Sequence, residues 1–246
     1  MFKCFNLKSY KNVYNFTANK SEITVILGLN GSGKTTLLRH ICGLNKNTEG
    51  SIFYADVDLL KLKPTERSKI ISYMPQKTIN INELTVENYV LTARTPYINL
   101  LSNPSKKDII IVNDMLKLCG VYEFLHRRIN TLSGGELKKV EISKILTQQT
   151  NILVLDEPTS HLDFKSSYEM LKIIKTHTKE NDLTTIMTLH DPNLALKFAD
   201  KIICLNETGV FSEITDVNDF DNIKMIFKEI YGQEIEILKE GVLVIK

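Results

Sequence analysis

Residues 28–36 read GLNGSGKTT. Gly28, Gly33, Lys34 and Thr35 satisfy the spacing G-x-x-x-x-G-K-[ST]. An apolar run ending in glycine, EITVILG, precedes it, and a helical pattern, KTTLLRHICGL, follows. Strand, loop and helix in that order are the context such a loop needs to hold phosphate. Gly31 and Gly33 allow backbone angles and a close approach that a Cβ would block. The amides of Leu29, Asn30, Gly31, Ser32, Gly33 and Thr36 can then line an anion cradle, helped by the helix dipole. Lys34 is expected to reach the β- and γ-phosphates of a nucleotide, and the Thr35 hydroxyl to ligate Mg²⁺.

A second chemical group lies at NILVLDEP. Its apolar run ends in Asp156 and Glu157, at the carboxyl end of a buried strand, where α/β sheets place ligands. Alternation along a strand predicts that the two carboxylates face different ways. One suits a magnesium shell, and the other suits polarising a water opposite the γ-phosphate. Gln76 after Pro75 and His190 at the end of TIMTLH occupy similar strand ends. Alone, each reads as a loop glutamine and a core or capped histidine. Beside a phosphate loop and a carboxylate pair, both become candidates for the reaction. A further glycine turn, TLSGGEL at 131–137, opens a helical pattern and reads as a second anion loop. Five of the eleven glycines fall in these two loops, so the chain carries one more anion loop than a single nucleotide requires.

The elements that must position these groups follow from pattern. EITVILG, SIFY, KIISYM, NILVLD, LTTIMTLH and KIICLN read as strands, and KSSYEMLKIIKTHTK as a helix between two of them. Buried strands alternating with helices imply a parallel sheet covered on both faces. Between about 80 and 150 the pattern is helical, with Ser105 as an N-cap and Asp108 in the first turn. The tail EIEILKEGVLVIK reads as a small hairpin. The 246 residues, 43% apolar and 24% charged, fit an ordinary globular protein. A net charge of +2 gives no reason to expect nucleic acid as the main ligand. No apolar run approaches a membrane span, and the N-terminus lacks the apolar stretch of a signal peptide. Cys4, Cys42, Cys119 and Cys204 are scattered without a C-x-x-C pair and read as buried thiols of a cytoplasmic protein.

Taken together, GLNGSGKTT, MPQ, LSGGE, ILVLDEP, SHLD and LHD resemble, in this order, the nucleotide-binding subunits of ABC transporters. LSGGE is the most specific of these motifs. The resemblance covers essentially the whole chain. It implies an α/β P-loop NTPase core of the RecA type with a parallel sheet, an N-terminal antiparallel β part and an inserted α-helical subdomain. It implies one domain over 1–246, with the insert at about 78–145 and the core from 1–77 and 146–246. ATP and Mg²⁺ are the implied cofactors. Glu157, His190 and Gln76 are the implied catalytic residues, and Thr35, Gln76 and Asp156 the implied metal group. Ser133, Gly134, Gly135, Glu136 and Asp163 join the loop residues in nucleotide binding, and Tyr10, with Tyr14 next, is the choice for stacking on adenine. Members of the family work as head-to-tail dimers, so LSGGE is expected to serve the nucleotide of a second copy.

A narrower similarity, in LTVENYVLTARTPY, HDPNLALKFAD and IFKEIYGQEIEIL, is to importer ATPases for iron–siderophore, haem and cobalamin. It implies permease subunits and, indirectly, a substrate-binding protein as partners, no nucleic acid, and a peripheral place on the cytoplasmic face of the membrane. Leu29, Ser21 and Lys138–Lys139 depart from the family's commoner Pro, Gly and Gln-Arg without removing a catalytic group. A non-transport ABC ATPase, an exporter ATPase and an inactive scaffold are the alternatives. The first usually carries two cassettes or a long coiled coil, and the last fits poorly with Lys34, Glu157 and His190 in place.

Overall fold

The computed structural model describes every residue except 10–11, 47, 77–82, 99–101, 206–210, 234, 238–242 and 246. The chain begins β1 (Phe2–Ser9), β2 (Asn12–Ala18), β3 (Glu22–Gly28), α1 (Lys34–Ile41), β4 (Glu49–Tyr54), β5 (Val57–Asp58), α2 (Pro64–Arg67) and β6 (Ile71–Met74). Three helices follow: α3 (Val86–Leu91), α4 (Lys106–Leu118) and α5 (Gly134–Thr147). Then come β7 (Ile152–Leu155), α6 (Phe164–Glu180), β8 (Thr184–Thr188), α7 (Pro192–Phe198), β9 (Lys201–Leu205) and β10 (Phe211–Ile214). The chain ends with α8 (Phe220–Tyr231), β11 (Ile235–Ile237) and β12 (Leu243–Ile245). The last two strands pair antiparallel, as the expected hairpin.

The main sheet has the order β10-β9-β3-β8-β7-β6. Every pair in it is parallel except β10 with β9. Its central strands are apolar at nearly every position because both faces are covered. Successive side chains of β3 go to opposite layers. Ile23, Val25 and Leu27 join the helices of one layer, with Leu153, Leu155 and Met187. Ile26 joins the other layer with Ile152, Val154 and Ile186, against Leu37, Leu38 and Ile41 of α1. These three α1 side chains are fully buried, and each contributes about 1.5–3 kcal/mol of transfer free energy. Their burial, rather than helix propensity, holds a helix this short.

The antiparallel sheet β2-β1-β4-β5 closes the second layer. Phe2, Leu7, Tyr14 and Phe16 from it pack into the cluster that holds α1. Helices α3, α4 and α5 fill the interval between β6 and β7 and pack on one another. Ser105 caps α4 as its sequence predicts, with Asp108 closing a reciprocal capping box. Asp108 also receives Arg94 Nε at 2.8 Å, and Arg94 reaches on to the Thr147 carbonyl at 3.1 Å. One buried guanidinium thus ties the start of α4 to the end of α5. All four cysteines are buried and free, and burial pushes the Cys4 and Cys204 thiols up to about 12. Among the described residues no helix is long and apolar enough to cross a membrane.

Candidate functional site

Because β3, β8, β7 and β6 are neighbours and parallel, their carboxyl ends share one edge of the sheet. Gly28 ends β3, and Met74 lies two residues before Gln76. Leu155 leads into Asp156 and Glu157, and Thr188 lies two residues before His190. Residues far apart in the chain therefore meet at one rim, the usual ligand edge of such sheets.

The phosphate loop leaves β3 through Gly28. A Cβ there would collide with the Leu205 carbonyl oxygen and lie 2.8 Å from Ser32 Oγ. Gly33, at φ 91°, ends the loop in the left-handed region and caps α1 without a side-chain hydrogen bond. The first helical bond is Leu37 N–H to the Gly33 carbonyl, so the first-turn amides of Lys34, Thr35 and Thr36 have no carbonyl within the helix. Helices α4, α5 and α6, by contrast, have their N-termini closed by Ser105, Ser133 and Asp163. Ser32 Oγ is buried and has no hydrogen-bond partner among the described residues. A buried hydroxyl without a partner beside an uncapped helix N-terminus is what an oxyanion ligand would satisfy. Lys34 is buried and donates from Nζ to the carbonyls of Gly28 (2.7 Å) and Leu29 (2.9 Å). Burial lowers its pKa, against the opposing charges of Glu157 and Asp156.

The carboxylates do face different ways, but the reason differs from strand alternation. β7 ends at Leu155, and Glu157 takes a left-handed φ of 52°. Asp156 is fully buried. Its Oδ1 accepts from Thr188 Oγ1 at 2.8 Å and its Oδ2 from the Tyr73 hydroxyl at 3.4 Å. Burial, with the charge of Asp156, raises the Tyr73 pKa, so the phenol stays a donor. Glu157 Oε2 accepts from Gln76 Nε2 at 2.7 Å, and its Oε1 lies 2.6 Å from His190 Nε2. The three residues expected to be catalytic thus converge on one carboxylate. Asp156 and Thr35 carry oxygens of the kind a divalent cation takes. Among the described residues no group of three or more His, Cys, Asp or Glu could hold a metal, so magnesium would need phosphate oxygens as further ligands, its usual arrangement with nucleotides.

The second glycine loop has its own geometry. Ser133 N-caps α5: Oγ accepts from the Glu136 amide at 3.3 Å, and the Ser133 amide donates to Glu136 Oε2 at 2.7 Å. Arg127 lies 3.6 Å from Glu136 Oε1. Gly134 and Gly135 approach His161 and Leu162, so this loop abuts the segment that leads to Asp163. Asp163 caps α6 through the Ser166 amide at 2.7 Å. In the single chain Glu136 and Asp163 are therefore helix-capping groups. Tyr10 lies outside the described residues. Tyr14 is buried in the second cluster. Sequence reasoning passed over Thr188 and Tyr73. Thr188 is the last residue of β8, and His190 follows two residues beyond the strand's end.

The family model for ABC transporter matches residues 11–160. An uncharacterized ABC transporter ATP-binding protein of Methanocaldococcus jannaschii is 38% identical over 217 residues, 88% of this chain and 84% of that protein. A Bacillus subtilis ATP-binding protein ascribed to a siderophore transport system is 36% identical over 199 residues, 81% and 72% of the two chains. A dimeric ATP-binding cassette solved in a post-hydrolysis state with ADP and Pi superposes with a TM-score of 0.76 at 28% identity, over 87% of this chain and 98% of the other. With its phosphate loop, carboxylate pair and glycine turn on one scaffold of this fold, the chain belongs to the ABC transporter ATP-binding family.

Proposed function

We propose that this protein is the ATP-hydrolysing subunit of an ABC importer for an iron–siderophore complex, haem or cobalamin. In this reading it sits peripherally on the cytoplasmic face of the membrane, bound to separate permease subunits that a substrate-binding protein supplies. The observation that carries the hydrolytic part is the convergence of Gln76 and His190 on Glu157 beside the phosphate loop. The cargo class rests on the siderophore system of the Bacillus subtilis relative and on the importer-like segments of the sequence.

The residues divide the work as follows. Lys34 exchanges its Gly28 and Leu29 carbonyl partners for the β- and γ-phosphates of ATP. The amides of residues 29–36 and Ser32 Oγ cradle the phosphates, while Thr35, Asp156 and Gln76 hold the magnesium shell. Bound magnesium supplies neutralisation of the charge that develops on the phosphate oxygens. Glu157 orients the attacking water and accepts its proton. His190, half-exposed, turns from Glu157 to the γ-phosphate. Ser133, Gly134 and Gly135 serve the nucleotide of a second copy in a head-to-tail dimer, with Glu136 and Asp163 shaping that surface. An incomplete site in each monomer ties hydrolysis to closure. The chain acts as one domain, with α3–α5 as a helical subdomain on a core from the remaining segments.

The test is uptake. Deleting the gene should abolish uptake of one labelled cargo among ferric siderophores, haem and cobalamin, and a Lys34→Ala copy should not restore it. Unchanged uptake of all three would refute the importer reading.

A further inference from the structure

We infer that Thr188 is a positioning residue that locks Asp156 and Glu157 into their working geometry. The inference rests on the ATPase reading and adds to it a residue outside the phosphate loop, carboxylate pair, glutamine and histidine already named. A hydroxyl has one proton to give and two lone pairs. At Thr188 both kinds of capacity are used, and their direction is fixed. The Glu157 amide can only donate, and it meets Thr188 Oγ1 at 2.8 Å. The Asp156 carboxylate accepts, and its Oδ1 takes the Thr188 proton, also at 2.8 Å. One hydroxyl therefore joins the backbone of one carboxylate residue to the side chain of the other.

The join matters because of where it acts. Glu157 holds a φ of 52°, an uncommon conformation for a residue with a Cβ. That turn aims its carboxylate at Gln76 and His190, and the hydrogen bond from the Glu157 amide to Thr188 lies at the turn itself. Asp156 is fully buried, and its other side-chain donor, Tyr73, stands at a longer 3.4 Å. Thr188 is likewise fully buried, on β8 in register with Ile26 of β3. Its backbone is fixed by sheet pairing, so the hydroxyl cannot drift with the loops around it. Partners that orient metal and base ligands typically matter by about 10- to 100-fold in affinity or activity.

Thr188→Val keeps the branched shape that a central strand accepts, yet leaves the Glu157 amide without its acceptor. Thr188→Ser keeps the hydroxyl. The full chain is assayed for ATP hydrolysis, for KM, and by calorimetry for the gain in ADP affinity on adding Mg²⁺. Val is expected to lower kcat about 10- to 100-fold with KM for ATP nearly constant. It should also erase most of the Mg²⁺-dependent gain in ADP affinity, while metal-free ADP binding is unchanged. Ser should restore both to within about twofold, a pattern that loss of packing would not give. If Val does not fold, Thr188→Ala is read in the same way. Wild-type kcat and an unchanged Mg²⁺ gain in the hydroxyl-free variant would overturn the inference, as would equal damage by Ser and Val. A wild-type chain that does not hydrolyse ATP would instead refute the ATPase reading beneath it.

Discussion

Glu157→Gln isolates the chemical step from the binding step. In the structure the carboxylate spends one oxygen on Gln76 Nε2 at 2.7 Å and the other on His190 Nε2 at 2.6 Å. A glutamine keeps the shape and one acceptor. Its amide nitrogen is a donor, so it can satisfy only one of the two neighbours as they stand. The variant also loses the basic oxygen that takes the proton of water. Loss of a general base costs about 10² to 10⁴ in rate, equivalent to about 3–5 kcal/mol on the barrier. The phosphate cradle shares no hydrogen bond with Glu157: among the described residues Lys34, Ser32 and the first turn of α1 do not bond to it, and its link to Lys34 is electrostatic. Nucleotide affinity should therefore stay within a few-fold, as measured by calorimetry in Mg²⁺. Phosphate release under saturating ATP should fall by about 10² or more. Hydrolysis near the wild-type rate would remove Glu157 from its role. Equal losses of binding and hydrolysis would show that the residue shapes the pocket rather than the reaction.

Three further outcomes follow from other parts of the structure. His190→Ala should lower kcat far more than ATP affinity, because the ring contacts Glu157 from a half-exposed position and takes no part in the loop; unchanged turnover would make it structural. Asp108→Asn should destabilise the chain by about 3–5 kcal/mol in denaturant titrations, because Arg94 then stays buried without its counter-charge; a change under about 1 kcal/mol would refute the strut joining α4 and α5. The Ser105 and Arg94 hydrogen bonds hold the Asp108 pKa below its ordinary 3.8. Its contribution is therefore complete above that ordinary value and lost as pH falls through the lower folded value. Acid unfolding of the wild type below pH 3.8 should accordingly be steeper than that of the Asn variant.

Much of the site was legible because its chemistry is written in contiguous residues. EITVILG is strand from Glu22 to Gly28, and the glycines of the loop after it are where a Cβ or an ordinary φ fails. Ser105 and Asp108 announced a capped helix, since the box needs only local spacing. The parts that stayed hidden depend on the third dimension. A threonine in an apolar strand looks like any β-former, and only the adjacency of β7 and β8 turns Thr188 into a bridge between two carboxylate residues. Alternation predicted divergence of Asp156 and Glu157, but it could not foresee that the strand stops at Leu155 and that a positive φ does the turning. Arg94 lies 14 residues from Asp108 and 53 from Thr147, separations that carry no periodic signal. Family resemblance implied an antiparallel N-terminal part but not its pairings, which are β1 with β2 and β1 with β4.

The presence of two glycine loops in one chain is explained if the turn at Ser133 completes the nucleotide site of a second copy. A mixed dimer tests this directly. One subunit carries Lys34→Ala, which removes a charged phosphate contact, and the other carries Ser133→Arg, which places bulk in the closing interface. Both carry Glu157→Gln, so that ATP-dependent dimers accumulate and can be counted by size exclusion. If one composite site combines Lys34 of one chain with Ser133 of the other, both lesions fall in the same site and the second site is intact. Each pure variant then dimerises poorly with ATP, and the mixture recovers a clear dimer peak. If the Ser133 turn serves its own chain, every mixed dimer holds two damaged sites, and a mixture no better than the pure variants would contradict the split site.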